Sequence, residues 1–93
     1  MKIEIRTFGL LKEVIKDTHF EVGESCNVED LLLKMADKYG RAFTVQIYNP
    51  NKKRINDHVG IALNGQFLKN ENISTTKLRE GDRMAIFVAL AGG

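Results

Sequence analysis

Ninety-three residues, 43% hydrophobic and 28% charged, are enough for one modest hydrophobic core and too few for two. Fourteen basic against 12 acidic residues leave a formal charge of +2 with the signs intermixed along the chain, so no nucleic-acid partner is expected on a basic stripe. Cys26 is the only cysteine, which rules out an internal disulfide and a cysteine-built zinc site and fits a reducing, cytoplasmic compartment.

Residues 2–8 alternate, with Ile3 and Ile5 on one face and Glu4 and Arg6 on the other, the period-2 pattern of a strand wet on one side. This start interleaves charge with apolar residues, unlike a signal peptide. Residues 9–16 carry Leu10, Leu11, Val14 and Ile15 at helical spacing, which predicts a short helical turn packed on the sheet. His19-Phe20-Glu21-Val22 alternates again and is closed by Gly23. It predicts a second strand, antiparallel to the first because the connection is short.

The main helix is predicted over about 28–39. Asn27 can accept from first-turn amides, Asp30 stands where a capping box places an acid, and Cys26 and Leu31 occupy the positions of a hydrophobic staple. Val28, Leu31, Leu32, Met35 and Tyr39 fall on one face, and Gly40 is the expected cap. As the only long helix, this element has to cover most of the sheet. A thiol at a helix N-terminus admits a reactive reading, but the staple position favours Cys26 as a small buried hydrophobe.

Phe43, Val45 and Ile47 alternate with Thr44, Gln46 and Tyr48 ahead of the turn Asn49-Pro50-Asn51. This points to an added strand or hairpin and leaves open whether 41–58 is a hairpin or a loop. Lys52-Lys53-Arg54, the one basic triplet, reads as a solvated loop. Residues 59–63 read as a strand, and Asn64-Gly65 between apolar flanks is a strong hairpin signal, with Gln66-Phe67-Leu68 returning. Lys77-Leu78-Arg79 predicts one helical turn. Glu80-Gly81-Asp82 then turns the chain into residues 83–88, near-continuously apolar as a central strand buried on both faces should be.

One domain over residues 1–93, with a flexible tail from about 89, is the expected organisation. The class is α+β. If the first and last strands lie side by side in a mixed sheet wrapped around the helix, the fold is a β-grasp. The longest apolar run, residues 84–91, falls far short of the ~20 that span a bilayer, so no membrane segment is expected.

The chain stops at Ala91-Gly92-Gly93, straight after the apolar residues 84–90. Glycine reaches backbone conformations closed to other residues, so such an end can thread a narrow channel. Extended at roughly 3.3 to 3.6 Å per residue, residues 89–93 carry the carboxylate about 17 Å beyond the last anchored point. A carboxylate is a poor electrophile and needs activation by a nucleotide. No phosphate-binding loop, dinucleotide fingerprint or serine-histidine-acid arrangement is visible to supply it, so the chain is not expected to be catalytic alone. His19 and His58 lack partners at metal-ligand spacing, and neither a metal nor a bound cofactor is assigned. Taken by itself, the diglycine reads as a frayed terminus.

The combination of Asn64-Gly65, Leu78-Arg79-Glu80-Gly81-Asp82-Arg83-Met84-Ala85-Ile86-Phe87 and the terminal Ala91-Gly92-Gly93 changes that reading. It resembles the small subunit of molybdopterin synthase and its relatives: the thiamine sulfur carrier, the eukaryotic ubiquitin-related modifier and the small archaeal modifier proteins. Phe8-Gly9-Leu10-Leu11-Lys12-Glu13 and Cys26-Asn27-Val28-Glu29-Asp30-Leu31-Leu32 look like the same pattern, so the resemblance touches most of the chain. Val88-Ala89-Leu90 stand where synthase small subunits often carry prolines, which leaves the branch open. Thiamine sulfur carriers are usually shorter, without the segment between Gly40 and Val59.

The resemblance implies a ubiquitin-like β-grasp sulfur carrier. An enzyme of the ubiquitin-activating class would use ATP to adenylate the Gly93 carboxylate, and a sulfur donor would convert it to a thiocarboxylate. A large synthase subunit would then take up the tail, Ala91, Gly92 and Gly93, and build the dithiolene that holds molybdenum or tungsten. By the same resemblance Phe67, Phe87 and Leu90 are partner-binding residues, although Phe87 reads equally well as core. The alternatives are a modifier joined through Gly93 to lysines, a carrier serving thiamine or tRNA thiolation, and a non-reactive β-grasp binding module.

Overall fold

The structure, a computed structural model, describes residues 1–88. Alternation in β1 (Lys2–Thr7) buries Ile3 and Ile5 and turns Glu4 and Arg6 outward. The chain then makes α1 (Leu11–Val14), which buries Leu11 but leaves Leu10, expected on the packed side, 80% exposed. Adjacent residues on a helix point about 100° apart, so a four-residue turn seats only one of two neighbouring leucines on the sheet. β2 (His19–Glu21) returns antiparallel to β1, with Ile3 opposite Phe20.

α2 (Val28–Tyr39) starts on the expected capping box: the Asp30 amide donates to Asn27 Oδ1 at 2.8 Å and the Asn27 amide to Asp30 Oδ2 at 3.0 Å. Its buried face, Val28, Leu31, Leu32 and Met35, joins Ile3, Ile5, Ile61, Met84 and Ile86 of the sheet in one core. Cys26 is half-buried and packs against that core.

The segment after Gly40 departs from the expected alternating strand. Gly40, at φ +68°, ends α2 and at once begins α3 (Arg41–Gln46). Phe43 and Ile47, four apart, are both buried while Val45 is exposed, so the core selects helical spacing over the period-2 reading. A two-stranded hairpin follows, β3 (Tyr48–Asn49) with β4 (Arg54–Ile55), around the predicted Asn49-Pro50-Asn51 turn.

β5 (Val59–Leu63) and β6 (Gln66–Phe67) form the hairpin that Asn64-Gly65 signals, both turn residues having positive φ. No helical turn forms at Lys77-Leu78-Arg79. The short helix lies earlier, at Asn70–Asn72, while Lys77 bridges Asn27 and the Leu78 amide donates to the Cys26 carbonyl at 3.0 Å. Leu78 is buried there, and the contact ties this stretch to the start of α2.

β7 (Arg83–Val88) closes the sheet, whose order is β2-β1-β7-β5-β6. It runs parallel to β1 and antiparallel to β5, so the first and last strands are central neighbours. The expectation that β7 is buried on both faces is corrected: Met84 and Ile86 are fully buried, whereas Ala85 and Phe87 are half-buried on the face away from α2.

Candidate functional site

Two turn motifs fix the start of β7, and they meet in one network. Asp82, 8% exposed, accepts from the Arg79 amide at 2.7 Å and from Asn64 Nδ2 at 2.9 Å. Asn64 Oδ1 in turn accepts from the Arg83 amide at 2.9 Å. The Asp82 carbonyl accepts from the Glu4 amide at 2.8 Å, and the Gly81 amide donates to the Lys2 carbonyl at 3.0 Å. Asn64-Gly65 and Gly81-Asp82 therefore clamp β7 between its two neighbours before it starts.

From that clamp β7 runs paired with β1 as far as Ile86 and with β5 to Val88 opposite Val59. Its outward residues face an open sheet surface with a floor of small residues: Gly60 pairs with Phe87, and Ala62 pairs with both Ala85 and Phe67. The Phe87 ring lies across Gly60 so closely that a Cβ there would sit 2.4 Å from Phe87 Cε2. Phe67 meets that ring edge to face, with centroids 5.5 Å apart and planes at 76°, and is itself 74% exposed. Phe67 and Phe87 are thus brought together. Leu90, Ala91, Gly92 and Gly93 lie outside the described residues.

The other end of this face is charged. Glu4 Oε2 accepts from Arg6 Nε at 2.9 Å and forms an ion pair with Arg83, whose Nε is also 2.9 Å away. The Arg6 hydrogen bond, with the charge of Arg83 behind it, holds the Glu4 carboxyl below its ordinary value against an opposing desolvation.

One exposed aromatic escaped the sequence reading. Phe8 follows Thr7, the last β1 residue paired with β7, and is 53% exposed. The outward phase of Glu4 and Arg6, continued one step, gives its side.

A cleft of about 720 Å³ lies elsewhere, beside the β3–β4 hairpin. Four of its polar side chains already have partners within the hairpin and the turn after it. Asn49 Oδ1 accepts from the Asn51 and Lys52 amides, Asn56 Oδ1 from the His58 amide, and Arg54 pairs with Asp57 at 3.0 Å. His19 in β2 and His58 before β5 are both exposed, and among the described residues no three His, Cys, Asp or Glu side chains are grouped to hold a metal. The open face beside the end of β7, rather than the cleft, is the candidate site.

A mixed sheet wrapped around one helix, with its first and last strands parallel at the centre, defines the ubiquitin-like β-grasp class. The chain belongs to the ThiS family, whose pattern matches residues 5–93. It is 27% identical, over 95 aligned positions covering all of both chains, to small archaeal modifier protein 3 of Haloferax volcanii. Among solved structures, the Haloferax volcanii HVO 2177 protein superposes with a TM-score of 0.79 at 24% identity, covering 100% of this chain and 87% of that one. A putative molybdopterin converting factor, subunit 1, from Pyrococcus furiosus gives 0.72 at 18%, covering 96% and 98%. The resemblance read from the motifs is thereby borne out, and the chain is one of the ubiquitin-like sulfur carriers and modifiers.

Proposed function

We propose that this protein is a sulfur carrier that acts through the Gly93 carboxylate, serving as the small subunit of a molybdopterin synthase. The observation that carries the reading is a central strand clamped at its start and paired on both sides, which runs toward the chain end beside an open aromatic face. On this reading the carboxylate attacks the α-phosphorus of ATP in an activating enzyme and pyrophosphate leaves. Sulfur at the oxidation level of sulfide then displaces AMP from the acyl carbon. The thiocarboxylate is a softer and better nucleophile than the carboxylate it replaces. Phe67, Phe87 and Leu90 would hold the partner that receives the tail, the synthase large subunit, whose pterin takes the sulfur. No cofactor is bound by the carrier itself, and ATP is used by the activating enzyme.

The family likeness and the Pyrococcus furiosus neighbour support this branch. The whole-chain identity to small archaeal modifier protein 3 favours a second reading, in which the same adenylate is passed to lysine amines of other proteins. Both share activation and differ in the acceptor. Mass spectrometry of protein expressed with its own sulfur-transfer partners is expected to show a fraction about 16 Da heavier, sulfur in place of oxygen. Lysine conjugates through Gly93 without that species would select the modifier. Neither species, together with an unchanged cellular role after deletion of Gly93, would overturn both readings.

A further inference from the structure

We infer that Asn64 and Asp82 pin the register of β7 and so set how far the Gly93 carboxylate reaches, a positioning role that rests on the proposed tail chemistry. A strand's register comes first from its pattern, because a slip of one residue exchanges its two faces. That control is missing here. Residues 84–91 are apolar in both phases, and Ile86, Val88 and Leu90 offer a core the same chemistry as Met84 and Ile86. Backbone pairing does not choose either. The Glu4 amide on the Asp82 carbonyl, the Gly81 amide on the Lys2 carbonyl and the Asn64 amide on the Arg83 carbonyl use groups that every residue but proline carries.

Side chains therefore make the choice. Asn64 Nδ2 reaches Asp82 Oδ1 at 2.9 Å while Asn64 Oδ1 takes the Arg83 amide, so one side chain engages a carboxylate and the peptide beside it together. In a slip of two residues toward the start of β7, Asn64 would face Ala85, and Met84 in the place of Asp82 would offer no carboxylate. Phe87 would leave the bare Gly60 for Ala62. The Glu4–Arg83 ion pair would be lost as well, but it is exposed and weighs little. Val59 would then face Leu90 instead of Val88, leaving three residues beyond that level instead of five. Extended, three residues reach about 10 Å against about 17 Å for five. Slack in a tail is absorbed by bending, whereas a tail that is too short cannot be stretched. This slip therefore withdraws the carboxylate from an active site that it otherwise enters.

The test pairs nuclear magnetic resonance of the full-length chain with ATP–pyrophosphate exchange by the activating enzyme of the same organism. Asn64→Asp keeps the oxygen that takes the Arg83 amide and sets a second carboxylate against Asp82. It is expected to add a second set of β7 resonances, in which Ala62 contacts Phe87 in place of Ala85, and to lower the exchange rate at saturating carrier roughly tenfold or more. The swap Asn64→Asp/Asp82→Asn again places one donor between the two side chains and should restore both the single register and the rate. If Asn64→Asp melts too early to assign, Asn64→Gly, which keeps the positive φ of the turn, replaces it with the same expectation. Contacts of Ala62 with Ala85 alone in the folded variants, or a slipped strand with undiminished exchange, overturn the pin while leaving the tail chemistry standing. A parent chain that supports no exchange at all overturns the tail chemistry, and the register, read without the enzyme, still decides whether Asn64 and Asp82 fix it.

Discussion

Position 60 shows how one missing side chain shapes the open face. Gly60 gives the Phe87 ring a place to lie across β5, and the Phe67 edge then packs on it. In Gly60→Ala the new Cβ would sit 2.4 Å from the far end of that ring, which can swing away on its own torsions without moving backbone. We therefore expect a stability change within about 1 kcal/mol, because alanine is no worse than glycine in a strand. Nuclear Overhauser contacts between the Phe67 and Phe87 rings should disappear, and binding to the partner should weaken. Persistence of those contacts in the variant would show that the small floor does not position the ring. Asn64 and Asp82 are the complementary case, where the residue type itself was the signal. Asn64 adopts φ +51° with Gly65 at +86°, as a tight hairpin turn needs, and the buried Asp82 carboxylate has both oxygens bonded.

At the scale of elements, α2 was legible because three independent features agree on it: the cap, the apolar face and the terminal glycine. Leu31 and Leu32 are fully buried under the sheet, and truncating either to alanine should cost roughly 2 to 5 kcal/mol. Urea denaturation gives the number directly, and a loss below about 1 kcal/mol for both would mean that the sheet closes over the gap. β1, the β5–β6 hairpin and β7 were legible for the same reason, alternation or near-continuous apolarity bounded by turn chemistry. α3 was not. Phe43, Val45 and Ile47 satisfy a period of two, while Phe43 and Ile47 alone satisfy a helical period, and six residues hold too few repeats to separate them. Tertiary packing decides, by leaving Val45 in water. The open side of β7 was misread on similar grounds, since an apolar run does not distinguish residues covered by the same chain from residues awaiting another. The aromatic pair on that face was reached through the family resemblance, whereas Phe8 was within reach of simple alternation.

Over the whole molecule the sheet separates two environments, a dry face under α2 and an outer face that grades from the Glu4–Arg6–Arg83 charges to the Phe67–Phe87 rings. A second charged clamp holds the loop before β2 onto the end of α2. Asp17 Oδ2 pairs with Lys38 Nζ at 2.7 Å and accepts from the Tyr39 hydroxyl, while Lys38 Nζ lies 5.4 Å from the centre of the Phe20 ring. The Lys38 hydrogen bond, then that of Tyr39, holds Asp17 below its ordinary value of 3.8, and Glu4 is likewise held below 4.5. Burial, then the bond to Asp17, raises the Tyr39 hydroxyl above 10.0, so it stays a donor at neutral pH. A carboxyl with a depressed folded-state pKa binds its proton more readily in the unfolded chain. Its stabilisation is therefore complete above the unfolded value and is lost as pH falls through the folded one. The urea midpoint should hold steady between about pH 7 and 5 and decline below about 4, by a modest amount because both pairs are solvent-exposed. Asp17→Asn and Glu4→Gln should each flatten part of that acid limb, and together more than either alone, since the two carboxylates have separate partners, Lys38 and Tyr39 for one and Arg6 and Arg83 for the other. A midpoint that rises on acidification from pH 6 to 4, or an acid limb unaltered in the double variant, would assign the acid sensitivity to other carboxylates.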